Sequence, residues 1–235
     1  MPHLIRSLSA GVAGAVVCAV TSTASADLIA GWTITTAFPT GTGNVPTGNT
    51  YSVGVADLGN QVAGSELSTF HALAAATYTS PSGNGSAYAF SSNNWSIGDY
   101  YEARLSTSNY TGITVSWDQA RSSTGPAAFE LIFSIDGVNW TTVTSYTVLQ
   151  SGGGGAPATW SSTTYNPLYT STQALVGAEN ATELRIRFRS TVTAAAATGS
   201  NRIDNVSISG ELIPAPGALA LLGVAGLTGA ARRRR

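Results

Sequence analysis

The sequence predicts an all-β protein, an antiparallel β-sandwich of jelly-roll-like form flanked by an N-terminal signal helix and a C-terminal hydrophobic helix. Three observations predict it. Apolar and polar residues alternate with period two over several short runs, turn signals separate those runs, and the composition favours strands. Only 10% of the 235 residues are charged. Thr, Val, Ile, Tyr and Trp are plentiful, a mixture that suits hydroxyl-rich pleated surfaces better than helices.

The alternation is clearest in three places. In 113–118, Ile113, Val115 and Trp117 share one face while Thr114, Ser116 and Asp118 share the other. In 129–135, Phe129, Leu131, Phe133 and Ile135 point one way, and in 184–189 Leu184, Ile186 and Phe188 alternate with Arg185, Arg187 and Arg189. Each pattern buries one face and wets the other, as strands of a two-sheet sandwich do. Weaker strands are expected over 28–33, 87–91, 100–106, 140–148 and 202–209. Asp136-Gly137 is a tight hairpin signal between two apolar runs, and 81–85 and 152–155 read as loops. Leu67, Phe70, Leu73 and Ala74 fall at helical spacing behind a capping Ser65, so a short helix is expected over 65–77. About ten strands at this spacing make one sandwich of jelly-roll type. It occupies 27–212, between a leader (1–26) and a tail (213–235).

The two ends carry signals of their own. Arg6 precedes an uncharged apolar run over 8–20, and small residues lead to Ala24-Ser25-Ala26, an A-x-A cleavage site that leaves Asp27 first. That run of thirteen residues is too short to span a hydrocarbon core of roughly 30 Å. At the other end, Pro214-Ala215-Pro216 precedes an uncharged apolar stretch over 217–231 and then Arg232, Arg233, Arg234 and Arg235. Such an order stops transfer and keeps the basic end cytoplasmic.

Charge is unevenly placed. All eleven basic residues are Arg, and Arg6 and the four terminal arginines lie in the end segments. Six arginines against twelve acids leave the 27–212 body with a formal charge of −6. That acidity argues against a nucleic-acid partner. The single cysteine, Cys18, belongs to the leader, so the body is held by its core without a disulfide.

Catalytic chemistry has few carriers. His71 is the one histidine outside the leader, and no Ser sits in a nucleophile-elbow pattern. Asp99 with Glu102, and Glu130 with Asp136, are the carboxylate pairs that a glycan hydrolase could use. Asp204 shares a face with Val206 and Ile208 by alternation and so should point inward. A buried carboxylate needs a pairing arginine such as Arg202 or Arg121, hydrogen bonds, or a calcium ion. Among the aromatics, Trp117 reads as core and Trp140 as a packing residue after its turn. Trp95, Tyr100, Tyr101 and Trp160 lie near loops and are the candidate sugar-binding residues.

The tail from Pro214 to Arg235 resembles the PEP-CTERM sorting signal, a tripartite pattern of Pro-Glu-Pro-like motif, apolar helix and Arg-rich end. Ala215 stands where that motif has Glu. The resemblance implies processing by an exosortase-type membrane protease, membrane insertion through the C-terminal helix, and delivery to the envelope, cell surface or exopolysaccharide matrix. The body is similar to a domain common in bacterial PEP-CTERM proteins. The residues that carry this are Gly83-Asn84-Gly85-Ser86, Asn93-Asn94-Trp95, Gly98-Asp99-Tyr100-Tyr101, Val115-Ser116-Trp117-Asp118-Gln119, Asp136-Gly137-Val138-Asn139-Trp140 and Asn201-Arg202-Ile203-Asp204-Asn205-Val206. That likeness implies a jelly roll of carbohydrate-binding-module type, a setting in which structural calcium occurs. The sequence thus leads to an exported, non-catalytic protein that binds polysaccharide or serves structurally, with no cofactor besides that calcium. A secreted hydrolase working through paired carboxylates is the alternative.

Overall fold

The computed structural model describes residues 26–38, 45–152 and 159–214. Twelve strands run in the order β1 (Asp27–Trp32), β2 (Asn49–Gly54), β3 (Glu66–His71), β4 (Tyr78–Thr79), β5 (Phe90–Ser92), β6 (Tyr100–Leu105), β7 (Tyr110–Arg121), β8 (Ala128–Ser134), β9 (Thr141–Thr147), β10 (Thr170–Ala174), β11 (Leu184–Ser190) and β12 (Asn201–Leu212). They form two six-stranded antiparallel sheets. The first has the order β10-β7-β12-β5-β4, and β1 also pairs with β12. One edge of β12 takes β7, while β5 and β1 divide the other edge between its two halves. The second sheet has the order β2-β3-β6-β11-β8-β9. The chain crosses between the sheets at most connections, as jelly-roll-like sandwiches do.

The alternation seen in the sequence is what joins the layers. Ile113, Val115 and Trp117 of β7 and Ile203, Val206 and Ile208 of β12 meet Phe129, Leu131, Phe133, Leu184, Ile186 and Phe188 in one buried core. Trp117 and Phe188 bridge the sheets with ring centroids 5.0 Å apart, and Phe90 meets Tyr101 edge-on at 5.8 Å. No helix among the described residues is long and apolar enough to cross a membrane.

The helix expected over 65–77 is instead strand β3. Leu67, Thr69 and His71 are buried with period two, and β2 and β6 pair with the strand on both edges. Leu73, placed on the helical stripe, is largely exposed. Ser65 closes a turn, donating to Val62 O and accepting from Ala56 N. The Asp136-Gly137 hairpin does join β8 to β9, but the first register pair is Phe133 with Thr141, so its connection is longer than a two-residue turn. The Asn139 amide donates to Asp136 Oδ2 there, and Oδ1 gathers Val138 N, Asn139 N and the Ser134 hydroxyl; these donors, the Asn139 amide foremost, hold its carboxyl well below the usual range. The leader over 1–25, including Cys18 and Ala24, and the tail over 215–235, including Ala215, Pro216 and the terminal arginines, lie outside the described residues. Asp27 opens β1 opposite Gly210.

Candidate functional site

The four candidate sugar-binding aromatics go to different places. Trp95 and Tyr101 are core residues, packed 4.9 Å apart between the sheets, and Tyr101 donates its hydroxyl to Asn201 O at 2.6 Å. Burial pushes the Tyr101 phenol far above its ordinary range. Trp160 is buried against Tyr169 and donates its indole N–H to Ser82 O at 2.6 Å. These three have no ring face free for a sugar, because each amphipathic ring found a partner within the fold. Tyr100 alone of the four keeps exposed surface, since it neighbours Tyr101 in β6 and points to the opposite side.

That opposite side is the outer face of the second sheet. There Tyr100 stacks on Phe70 of β3 with centroids 5.2 Å apart and planes within 20°. The Arg187 guanidinium of β11 lies 3.9 Å from the Tyr100 ring centroid and also 3.9 Å from that of Trp140, just before β9. Around this stack the charges pair, three times across strands and once, Glu183 with Arg185, along the same segment. Glu102 accepts from Arg187 at 2.6 Å, Glu66 from Arg104 at 2.9 Å, Glu183 from Arg185 at 2.7 Å and Glu130 from Arg189 at 2.7 Å. Four arginines and four glutamates thus cancel. The −6 of the body lies elsewhere, leaving an aromatic platform in a neutral, hydrogen-bonding frame.

The expected carboxylate pairs are split by the same alternation. Glu102 is on this outer face, whereas Asp99 is buried on the inner side, 0% exposed, 3.0 Å from His71 Nδ1. Glu130 is held by Arg189, and Asp136 by its turn. Neither pair converges on one bond.

His71, the one histidine outside the leader, is a buried bridge between sheets. Its Nε2 lies 3.1 Å from the Ser92 hydroxyl, giving a Ser92–His71–Asp99 chain. Asp99 also accepts from Ala72 N at 2.8 Å and Ser96 N at 2.6 Å. The order of groups is that of a catalytic triad, but Trp95 covers the imidazole at 4.9 Å and all three side chains are buried. The chain satisfies polar groups between the sheets.

Asp204 does not share a face with Val206. A β-bulge at Asp204–Asn205, with Asn205 at φ 47°, shifts the register. Ile203 and Val206 both reach the core, and Asp204 turns to the outer face of the first sheet, directly opposite Asp118 of β7. The loop carrying Gly83, Asn84 and Ser86 covers it. Oδ2 of Asp204 accepts from Asn84 N at 2.8 Å and the Ser86 hydroxyl at 2.6 Å; neither Arg202 nor Arg121 pairs with it. Burial pushes the carboxyl up to about 7, and the nearby Asp118 charge adds to the rise.

Calcium takes six to eight oxygens, and those here are mostly taken. Asp118 Oδ2 accepts from the Asn84 and Asn205 amides at 3.0 and 2.7 Å, and its Oδ1 from the Thr170 hydroxyl. Asp204 Oδ1 is the one oxygen of the two carboxylates without a partner. No three His, Cys, Asp or Glu side chains gather to hold a metal ion among the described residues. As arranged, these donors fit a proton on Asp204 and do not fit calcium.

Sequence reasoning missed Phe70, Trp140, Arg187 and Asp118. The alternating arginines of 184–189 were a visible sign of a polar face. Nothing in the spacing could show that Trp140 lies over it.

A scan of the chain against protein-family models finds no match, and a search of curated proteins finds none either. Solved structures do show a similar path. One holds the CBM22-1–GH10 modules of Clostridium thermocellum xylanase 10B complexed with xylohexaose, with TM-score 0.38 and 14% identity, covering 74% of this chain and 28% of that one. Another is the K1 cleaved adhesin domain of Lys-gingipain from Porphyromonas gingivalis, with TM-score 0.38 and 14% identity, covering 76% and 95%. A third is a family 29 carbohydrate-binding module, with TM-score 0.31 and 10% identity, covering 80% and 90%. Likenesses at this level leave the role of this chain to its own residues.

Proposed function

We propose that the protein is an exported, non-catalytic polysaccharide-binding component of the cell envelope or extracellular matrix. Its leader directs export and its Pro-Ala-Pro tail is handled by an exosortase-type membrane protease. Binding takes place on the outer face of the second sheet. The observation that carries this reading is the surface stack of Phe70, Tyr100, Arg187 and Trp140. The outward edges of these stacked rings offer apolar area to the C–H groups of a sugar, and the flanking Arg and Glu side chains offer donors and acceptors to its hydroxyls. Because the eight charges of this face cancel, an uncharged polysaccharide fits it better than an anionic one. An open sheet face also suits an extended chain more than a small molecule, which prefers a concave pocket. Hydrolysis is the weaker reading because Asp99 and Glu102 stand on opposite sides of the sheet, while Glu130 is held in an ion pair and Asp136 by its own turn.

Affinity electrophoresis through gels cast with neutral polysaccharides tests the reading. Retardation should appear with at least one polymer and weaken about thirtyfold in Trp140→Ala, from the roughly 2 kcal/mol that a tryptophan anchor contributes. Retardation indifferent to both Trp140→Ala and Tyr100→Ala would remove the site. Release of reducing ends from the same polymers would remove the non-catalytic assignment.

A further inference from the structure

Arg202 differs from the other arginines of the described body. Arg104, Arg185, Arg187 and Arg189 each pair with a glutamate, and Arg121 donates to the carbonyls of Val148, Ser122 and Ser123. The side chain of Arg202, on the outer face of the first sheet, makes neither a hydrogen bond nor an ion pair among the described residues, although its backbone lies in the β12 ladders. Its guanidinium carbon lies 5.7 Å from the Trp160 ring centroid, and Tyr101 and Tyr169 stand near it. Desolvation by burial lowers its pKa, the signature of a cation withdrawn from water without a counter-charge.

Arg202 lines a cleft of about 230 Å³. Cross-strand register makes its floor: Thr79 of β4 pairs with Ser91 of β5, and Ser91 with Arg202 of β12. Asn93, Thr198 and Ser200 contribute hydroxyls and an amide to walls that also expose apolar surface, Pro81 included. The space is below the roughly 300–1,000 Å³ that drug-sized ligands occupy, so it suits one ring or one end group. A guanidinium presents a planar donor fork that matches a carboxylate in two parallel hydrogen bonds. One fixed positive charge balances one carboxylate, whereas a phosphate dianion would leave a negative charge unanswered. The wall hydroxyls both donate and accept, which matches the hydroxyls of a sugar ring.

We infer that this cleft is a second binding site, which takes a uronate: a single sugar unit bearing a carboxylate that docks on Arg202. It lies on the opposite sheet from the Tyr100–Trp140 stack and stands or falls separately from it. The net negative body opposes approach of an anion at low salt, but that repulsion is screened beyond about 10 Å at 0.1 M salt, and contact is decided by the local guanidinium.

The test is calorimetric titration of the full chain at 0.1 M salt with oligogalacturonate, with uncharged gluco-oligosaccharide and with inorganic sulfate. Oligogalacturonate should bind saturably, and Arg202→Gln should weaken it at least about tenfold, the loss expected for charge-assisted hydrogen bonds. Thr198→Phe, which fills the cleft from its exposed rim without touching the sheet, should weaken it as well, so that a folding defect in the Arg202 variant leaves the inference open to test. Trp140→Ala should leave this binding unchanged. Three outcomes overturn the inference: no oligogalacturonate binding, binding indifferent to both cleft variants, or sulfate binding as tight as the uronate.

Discussion

Replacing Asp204 by Asn probes the most unusual electrostatic feature of the fold. Asp204 is 0% exposed, faces Asp118 across the β12–β7 ladder, and has a carboxyl pushed up to about 7 by burial and by that neighbour. In the unfolded chain the same group has a pKa near 3.9. The folded state therefore holds a proton that the unfolded state releases between about pH 4 and pH 7. Stability must fall as pH rises through that window, because the unfolded state binds fewer protons there. Below pH 4 both states are protonated and the penalty vanishes; above pH 7 it reaches a ceiling of about 4 kcal/mol. Between pH 5 and pH 8 the wild-type loss from this group is about 2–3 kcal/mol. Asn keeps a carbonyl oxygen able to accept from Asn84 N and Ser86, and its side chain does not titrate. Urea unfolding of both proteins at pH 5, 6, 7 and 8 should show the stability of Asp204→Asn rising relative to wild type by about 2–3 kcal/mol across the series. The difference between the two proteins removes the other carboxylates from the comparison. A gap that stays constant with pH would refute the reasoning, and so would one that moves the opposite way.

Other perturbations follow from the same structure. Asp99→Ala strips the acceptor from His71, Ala72 N and Ser96 N in a buried setting; a loss of about 3–5 kcal/mol is expected in denaturant unfolding. Trp117→Ala empties the centre of the sandwich, where the ring meets Phe188 and Tyr146, and should cost about 3–5 kcal/mol, read as a lowered melting temperature. Gly83→Ala would place a Cβ within 2.5 Å of Asp204 Oδ2 and 2.6 Å of Tyr88 O; calorimetry should show a destabilisation of about 1–3 kcal/mol or more from overpacking. Adding EDTA should leave the melting temperature unchanged at pH 7.5, and a drop of several degrees reversed by calcium would show that the Asp118–Asp204 oxygens rearrange to hold the ion.

Period two was the part of the fold that could be read directly. β11 carries an apolar face and a polar face without interruption; β7 runs beyond its legible stretch at both ends, and in β8 Ile132 adds a buried apolar residue to the other face while Ile135, expected to point inward, falls past the strand and is exposed. β3 was read as a helix because Leu67, Phe70 and Leu73 mimic helical spacing; pairing with β2 and β6 overrode that local pattern. β12 shows the opposite failure. Its strand is obvious, yet one bulge at Asn205 reverses the faces upstream of it, and no spacing rule announces a bulge. The candidate site was half legible. The alternating arginines marked an exposed face, and Tyr100 belongs to it. Trp140 joins it only through the three-dimensional path of the β8–β9 connection, and the pairing of Glu102 with Arg187 depends on strand register. Aromatic residues near loops divide between core and surface by which neighbour faces inward, as Tyr100 and Tyr101 show.

Tryptophan fluorescence tests polysaccharide binding at the second sheet most directly. Trp32, Trp95, Trp117 and Trp160 are buried, so Trp140 is the indole that a quencher in solution can reach. Acrylamide titrations are run with and without a saturating neutral polysaccharide that retards the protein in gels. Binding at this face predicts a quenchable fraction that disappears in Trp140→Phe and is protected when the polysaccharide binds. Unchanged quenching of Trp140 in the saturated complex would contradict it.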